Sequence, residues 1–300
     1  MTAYLVSMAT YAGFFMILAL ALNLQWGIAG MVNFGIAGFY ALGAYVSGLL
    51  VAKLDVPVGL AIPAACAAGW LLGGIVALLS VRLREDFLAI VTLGVGEVIR
   101  LIVLNEDEIT EGPRGLRIEG RPFGDVIEPG MYPLFYLGLV AVCVLFTYLV
   151  CERVRRAPMG RACASEDDVV AEVLGKSVLV HRVRTFAIGG FFMGLAGALY
   201  AHYVQNISPE VFMPVVAMFI WMSVIVGGAG NNRGILIGAG TVMVLLEGTR
   251  FIGDFTDVLD AEKMSALRII LIGFLLIVTL RLRPRGLLPE RKFKINQNAR

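Results

Sequence analysis

Nine stretches of this chain stay apolar for roughly 17–24 residues, and that pattern limits what it can fold into. Each is long enough for a helix to cross a hydrocarbon core about 30 Å thick. They fall near 4–24, 33–53, 57–80, 86–104, 131–151, 183–204, 212–229, 233–249 and 265–282. Only 16% of the 300 residues are charged, against about 25% in soluble domains, and the mean hydropathy is +0.82. The runs do not alternate as barrel strands do. The expected fold is an all-α polytopic membrane protein with eight to ten transmembrane helices. The first run begins at Tyr4 with no basic residues before it, so it reads as a span and not a cleaved signal.

Charge sets the orientation. With the tail RLRPRGLLPERKFK in the cytoplasm, the segments around 81–86, 151–184, 227–233 and 281–300 fall inside. They hold seventeen of the 25 basic residues. The segments 105–130 and 250–264 then lie outside and are acidic by contrast. An odd number of spans puts the N-terminus outside. The chain reads as one transmembrane domain over 1–290 with a basic cytoplasmic tail at 291–300.

Four cysteines without metal or disulfide spacing and only two histidines give no metal site, and no catalytic constellation is visible. Candidate functional residues are instead polar groups at membrane depth. Asn23, Gln25 and Asn33 sit in NLQWGIAGMVNFGIAGFYALGAY, which five glycines punctuate. An unpaired amide there costs several kcal/mol. The stretch reads either as a broken helix beside a substrate path or as close packing with the amides bonded to neighbouring backbone. Thr92, Glu97 and Arg100 lie within the fourth span. Glu97 and Arg100 are three apart, share a helical face and can pair. Charges in lipid are costly, so they face a bundle interior or an aqueous path. They can contact a charged substrate or form an inert structural pair.

The polar segment 158–182 separates two spans. Ser165 can cap a helix, with Asp168 three residues on and Glu166 in the first turn. Glu172, Val173 and Leu174 follow, and Gly175 ends the helix. A short capped helix on the cytoplasmic face suits the groove of a partner protein. The alternative is a helix resting on lipid. The outer loop 105–130 can dock a solute-binding protein or can simply be solvated. The turn GGAGNNRG at 227–234 lacks the lysine and strand context of a phosphate loop. The basic tail reads as a plain anchor.

Four stretches together resemble the permeases of bacterial ABC importers for branched-chain amino acids, specifically the M-type member of the pair. They are 23–45, LREDFLAIVTLGVGE at 83–97, EVLG at 172–175 with TFAIGG at 185–190, and the glycine turn 227–234. The resemblance covers about 10–290. It implies a fold like that of the vitamin B12-type importer permeases, with broken or re-entrant elements. It also implies a second, H-type permease, two ATPase subunits and an external solute-binding protein, in the bacterial inner membrane. ATP and magnesium would belong to the ATPase partners, and no nucleic acid is expected. Glu166, Asp168, Glu172, Val173, Leu174 and Gly175 would couple ATP hydrolysis to the spans. Asn23, Gln25, Asn33, Thr92, Glu97 and Arg100 would line the substrate path. Leucine, isoleucine and valine are the expected substrates; urea, short amides or other amino acids are the alternative. An ion-coupled secondary transporter would need an internal inverted repeat, and none is evident.

Overall fold

The computed structural model describes residues 2–80, 83–124, 127–157, 178–255, 261–283 and 286–288. Hydrocarbon offers no water to backbone N–H and C=O groups, so each run must satisfy them as a helix. The helices are α1 (Thr2–Leu22), α2 (Ile36–Leu54), α3 (Val58–Ser80), α4 (Glu85–Asn105), the single turn α5 (Asp107–Thr110), α6 (Tyr132–Arg156), α7 (Val178–Val204), α8 (Pro214–Gly227), α9 (Asn232–Phe255) and α10 (Ala261–Leu282). Among the described residues, six helices are long and apolar enough to cross a membrane: α1 with its extension to Ile28, α2, α3, α4, α6 and α7. The fold is therefore all-α and polytopic. Each of the nine expected spans falls on a helix, but α8 has only 14 residues. At 1.5 Å per residue that is about 21 Å, short of a full crossing.

The helices run alternately between two ends. Tyr4 donates to the Glu247 carbonyl at 2.7 Å and Tyr203 to Ser7 at 3.1 Å, so the start of α1 shares an end with the finishes of α7 and α9. The acidic loop after α4 lies there too. Strand β1 (Leu116–Arg117) pairs antiparallel with β2 (Asn206–Ile207), with Leu116 opposite Ile207. His202, fully buried near the end of α7, bonds Ser47 of α2 through Nε2 at 2.8 Å and the Gly120 carbonyl through Nδ1 at 2.9 Å. That bridge pins the loop to two helices. The finish of α6 with Arg153, Arg155 and Arg156, the start of α9 with Arg233, and the finish of α10 lie at the opposite, basic end.

The tightest seam joins α2, α3 and α7, the last being the most buried of the candidate spans. Backbone meets backbone across it. A Cβ at Gly43 would overlap the Gly194 carbonyl, and one at Gly69 would overlap that of Gly190. Small residues permit this approach, and close van der Waals packing then holds helices that lipid would otherwise solvate equally well. Beside the seam α1 packs on α6, α7, α8 and α9. An aromatic cluster of Tyr11, Phe14, Tyr40, Tyr200, Tyr203 and Phe212 fills the acidic-end half.

Gly194→Leu is expected to lower stability by about 1–3 kcal/mol or more through overpacking. Gly74→Ala, where an added Cβ meets nothing within 4 Å, should leave it unchanged or slightly raised. Thermal unfolding of the two variants in detergent measures the contrast. Equal melting of Gly194→Leu and the unsubstituted chain would refute the seam.

Candidate functional site

The α-helical hydrogen-bond pattern of α1 fails at Leu22. The next six residues, Asn23–Ile28, form one wide π-helical turn, residues 29–35 are non-helical, and α2 begins at Ile36. Such a turn marks a place where a helix has been opened. Gly30, at φ +67°, lets the chain leave the helix in the left-handed region. A break in hydrocarbon is tolerated only if the freed groups find partners within the protein.

Asn33, Thr92 and Trp221 supply such partners, and Gln25 holds Asn33 in place. Asn33 Nδ2 donates to Gln25 Oε1 at 2.8 Å, and Gln25 Nε2 donates to the Phe186 carbonyl of α7 at 2.9 Å. Asn33 Oδ1 accepts the Gly35 N–H at 2.8 Å, where α2 starts. The Asn33 carbonyl accepts from Trp221 Nε1 of α8 at 2.9 Å. Trp221 also stacks on Phe34 at 4.8 Å and meets Trp26 at 4.6 Å. Thr92 of α4 accepts the Phe34 N–H at 3.0 Å and donates to Ala89. Asn23, Gln25, Asn33 and Thr92 are all fully buried. The structure thus brings Gln25, Asn33 and Thr92 together as fastenings of the break, their hydrogen bonds turned toward the protein.

Asn23 belongs to a second chain of bonds at the basic end. Its Oδ1 accepts the Gly230 N–H at 2.8 Å, and its Nδ2 donates to Asn232 Oδ1 at 2.9 Å. Asn232 Nδ2 donates in turn to Glu152 Oε2 of α6 at 3.0 Å. Arg155 at 2.6 Å and Arg156 at 2.8 Å complete the shell of that carboxylate. The turn 227–234 therefore ties the opened end of α1 to the end of α6. The tail joins the same turn: the Leu287 and Leu288 N–H groups donate to the carbonyls of Val226 and Gly227 at 2.9 and 3.2 Å. Those carbonyls belong to the last turn of α8 and have no helical partner. At Gly286 to Leu288 the tail is thus more than the plain anchor expected, because it caps a helix. Asn232, Glu152, Trp221 and His202 were not singled out from sequence. Asn232 lay inside the noted glycine turn, and Glu152 was masked by the arginines of ERVRR.

Glu97 and Arg100 do pair. Arg100 Nε lies 3.0 Å from both carboxylate oxygens, and its Nη2 closes on Oε1. Helix α4 packs mainly on the first half of α2, where Gly38 and Gly96 leave no room for a Cβ between them. Its seam residues are Leu88, Thr92, Gly96 and Val103, and the ion pair flanks them. The Glu97 side chain is 33% exposed and that of Arg100 18%. Phe34, Gly35, Gly38, Phe212 and Pro214 surround the carboxylate side, so α2 and the short α8 both begin beside Glu97. Positive helix starts favour a carboxylate there.

The coupling candidates Glu166, Asp168, Glu172, Val173, Leu174 and Gly175 lie outside the described residues. Their flanks are described: α6 enters the segment from Glu152 and the arginines, and α7 leaves it at Val178. Among the described residues no group of three or more His, Cys, Asp or Glu is placed to hold a metal ion.

Residues 4–280 match the family model of the branched-chain amino acid transport system permease component. The chain is 32% identical to the high-affinity branched-chain amino acid transport permease LivM of Salmonella typhimurium, over 95% of this chain and 70% of that protein. It is 28% identical to the probable LivM permease of Methanocaldococcus jannaschii, over 93% and 91%, and 27% identical to LivH of Escherichia coli, over 88% and 89%. No solved structure matches it. The chain therefore belongs to the family of branched-chain amino acid transport permeases, and its likeness to LivM marks it as the M type.

Proposed function

We propose that this chain is one membrane-spanning subunit of an ATP-driven importer that passes leucine, isoleucine or valine received from a solute-binding protein. Its partners in this reading are a second permease of the H type and two ATPase subunits that carry ATP and magnesium. The basic end and the C-terminus face the cytoplasm across a bacterial inner membrane. The matches to both LivM and LivH support a pair of like permeases. The excess of basic residues at one end supports the orientation.

The partly exposed Glu97–Arg100 pair carries the substrate reading. A charged pair open at membrane depth is far too costly to face hydrocarbon, so it faces an aqueous path or a partner subunit. A zwitterionic amino acid offers one group to each member of such a pair. Urea would call on neutral amides, and Asn23, Gln25 and Asn33 are already engaged within the protein. These observations favour amino acids. In this reading α4 lines the path, α2 and α8 start beside it, and the fastened break is the part that rearranges.

Coupling follows the second chain of bonds. Movement of segment 158–182 by the ATPases would pull on the end of α6, and so on Glu152, Asn232, Asn23 and the opened turn of α1. Substrate moves without covalent chemistry in this chain.

Uptake by the reconstituted complex, with labelled leucine compared against labelled urea, tests the reading. Leucine should accumulate. Accumulation of urea alone would discard the amino-acid path. Glu97→Gln and Arg100→Gln each remove one side of a charge-assisted contact, so leucine uptake should fall roughly ten- to a hundredfold while the subunits still co-purify. Asn232→Ala should cost about 1–3 kcal/mol of stability. It should also depress uptake per assembled complex while basal ATP hydrolysis persists. Unchanged uptake per complex in that variant would rule out the relay.

A further inference from the structure

Away from the site just described, a groove of about 370 Å³ opens on the flank of the bundle between α1, α6 and α9. Ala9 and Met16 of α1, Leu137, Ala141 and Leu145 of α6, and Leu236 of α9 form its wall, with Tyr148 at its basic end. From Leu137 to Tyr148 it follows α6 for about 17 Å at 1.5 Å per residue. That is close to the depth of one leaflet, about half of a hydrocarbon core roughly 30 Å thick.

The two ends of the groove differ. Its upper wall is aliphatic. At the basic end Arg233, exposed, donates from Nε to the Tyr148 hydroxyl at 3.4 Å. One turn past Tyr148 on α6 stands Glu152, whose charge Arg155 and Arg156 already meet. Arg156 still leaves 66% of its side chain exposed while doing so. Among the described residues the mouth is therefore net positive, and the slot above it is apolar and as long as an acyl chain is deep. Basic pockets between membrane helices at this depth suit anionic lipid headgroups.

We infer that the groove binds one anionic glycerophospholipid from the leaflet at the basic end. An acyl chain lies along α6, and the phosphate sits on Arg233 beside the Tyr148 hydroxyl. The lipid fills the gap between α6 and α9 beside the Glu152–Asn232 bond and so braces that joint. The inference does not depend on the transport reading, since it rests on shape and charge.

The test uses the full-length protein in nanodiscs of phosphatidylethanolamine, with or without phosphatidylglycerol. Lipid retained through purification is quantified by mass spectrometry, and thermal unfolding is followed in parallel. Phosphatidylglycerol should be enriched in the retained lipid and should raise the melting point by a few degrees. Arg233→Gln should lower its retention roughly fivefold. Ala141→Phe blocks the groove from an exposed position and should abolish retention with Arg233 intact. The inference is overturned if both lipids give the same melting point without enrichment, or if neither substitution changes retention. It is also overturned if Ala141→Cys cross-links to another protein subunit in native membranes, because protein would then cover the face.

Discussion

One requirement governs this molecule: an opened helix inside hydrocarbon must find every hydrogen-bond partner within the protein. The chain opens α1 at Asn23 and does not resume as helix until Ile36. Seven non-helical residues at that depth would be prohibitive if their polar groups were left bare. Asn33 and Gln25 meet the need by bonding to each other, to the start of α2 and to the backbone of α7. Thr92 and Trp221 add contacts from α4 and α8. The break is consequently the place where four other helices are fastened to the opened end of α1.

The consequences spread outward from there. Because α2 starts deep, it can present Gly38 to Gly96 and draw α4 against its first half. That approach fixes Glu97 beside the starts of α2 and α8. Because α8 also starts deep and is short, its far end comes to the glycine turn, where the tail at 286–288 caps it. The same turn holds Asn23 and, through Asn232, the end of α6. Two hydrogen-bond networks, one around the break and one at the basic end, thus share the opened turn of α1. A shift in either alters the geometry available to the other.

Much of this was legible in the sequence. The nine apolar runs predicted nine helices, because backbone satisfaction in hydrocarbon leaves a run of that length one solution. The glycines and amides of 23–45 left a broken helix as one of two readings, and the spacing of Glu97 and Arg100 allowed their pairing. Both readings of the amides were open in sequence, and the hydrogen bonds favour the fastening role. Other features could not be read locally. The length of α8 is set by where Trp221 and Phe212 dock, so a long apolar run concealed a short helix. Asn232 and Glu152 are 80 residues apart and carry no spacing signal. The capping role of the tail needs the orphan carbonyls of a helix that ends some 60 residues earlier.

Sequence alone determined the membrane class, the apolar runs that become helices and the charge asymmetry between the ends. Each follows from composition and period, which act within one turn or one span. Tertiary structure decided which polar groups are fastenings and which keep an open face. Gln25 and Glu97 are both polar residues within apolar surroundings. Gln25 is closed off by Asn33 and the Phe186 carbonyl, while Glu97 stays 33% exposed beside Arg100. Burial depends on which helices cross at a given depth, and backbone contact at Gly43, Gly69, Gly190 and Gly194 sets those crossings.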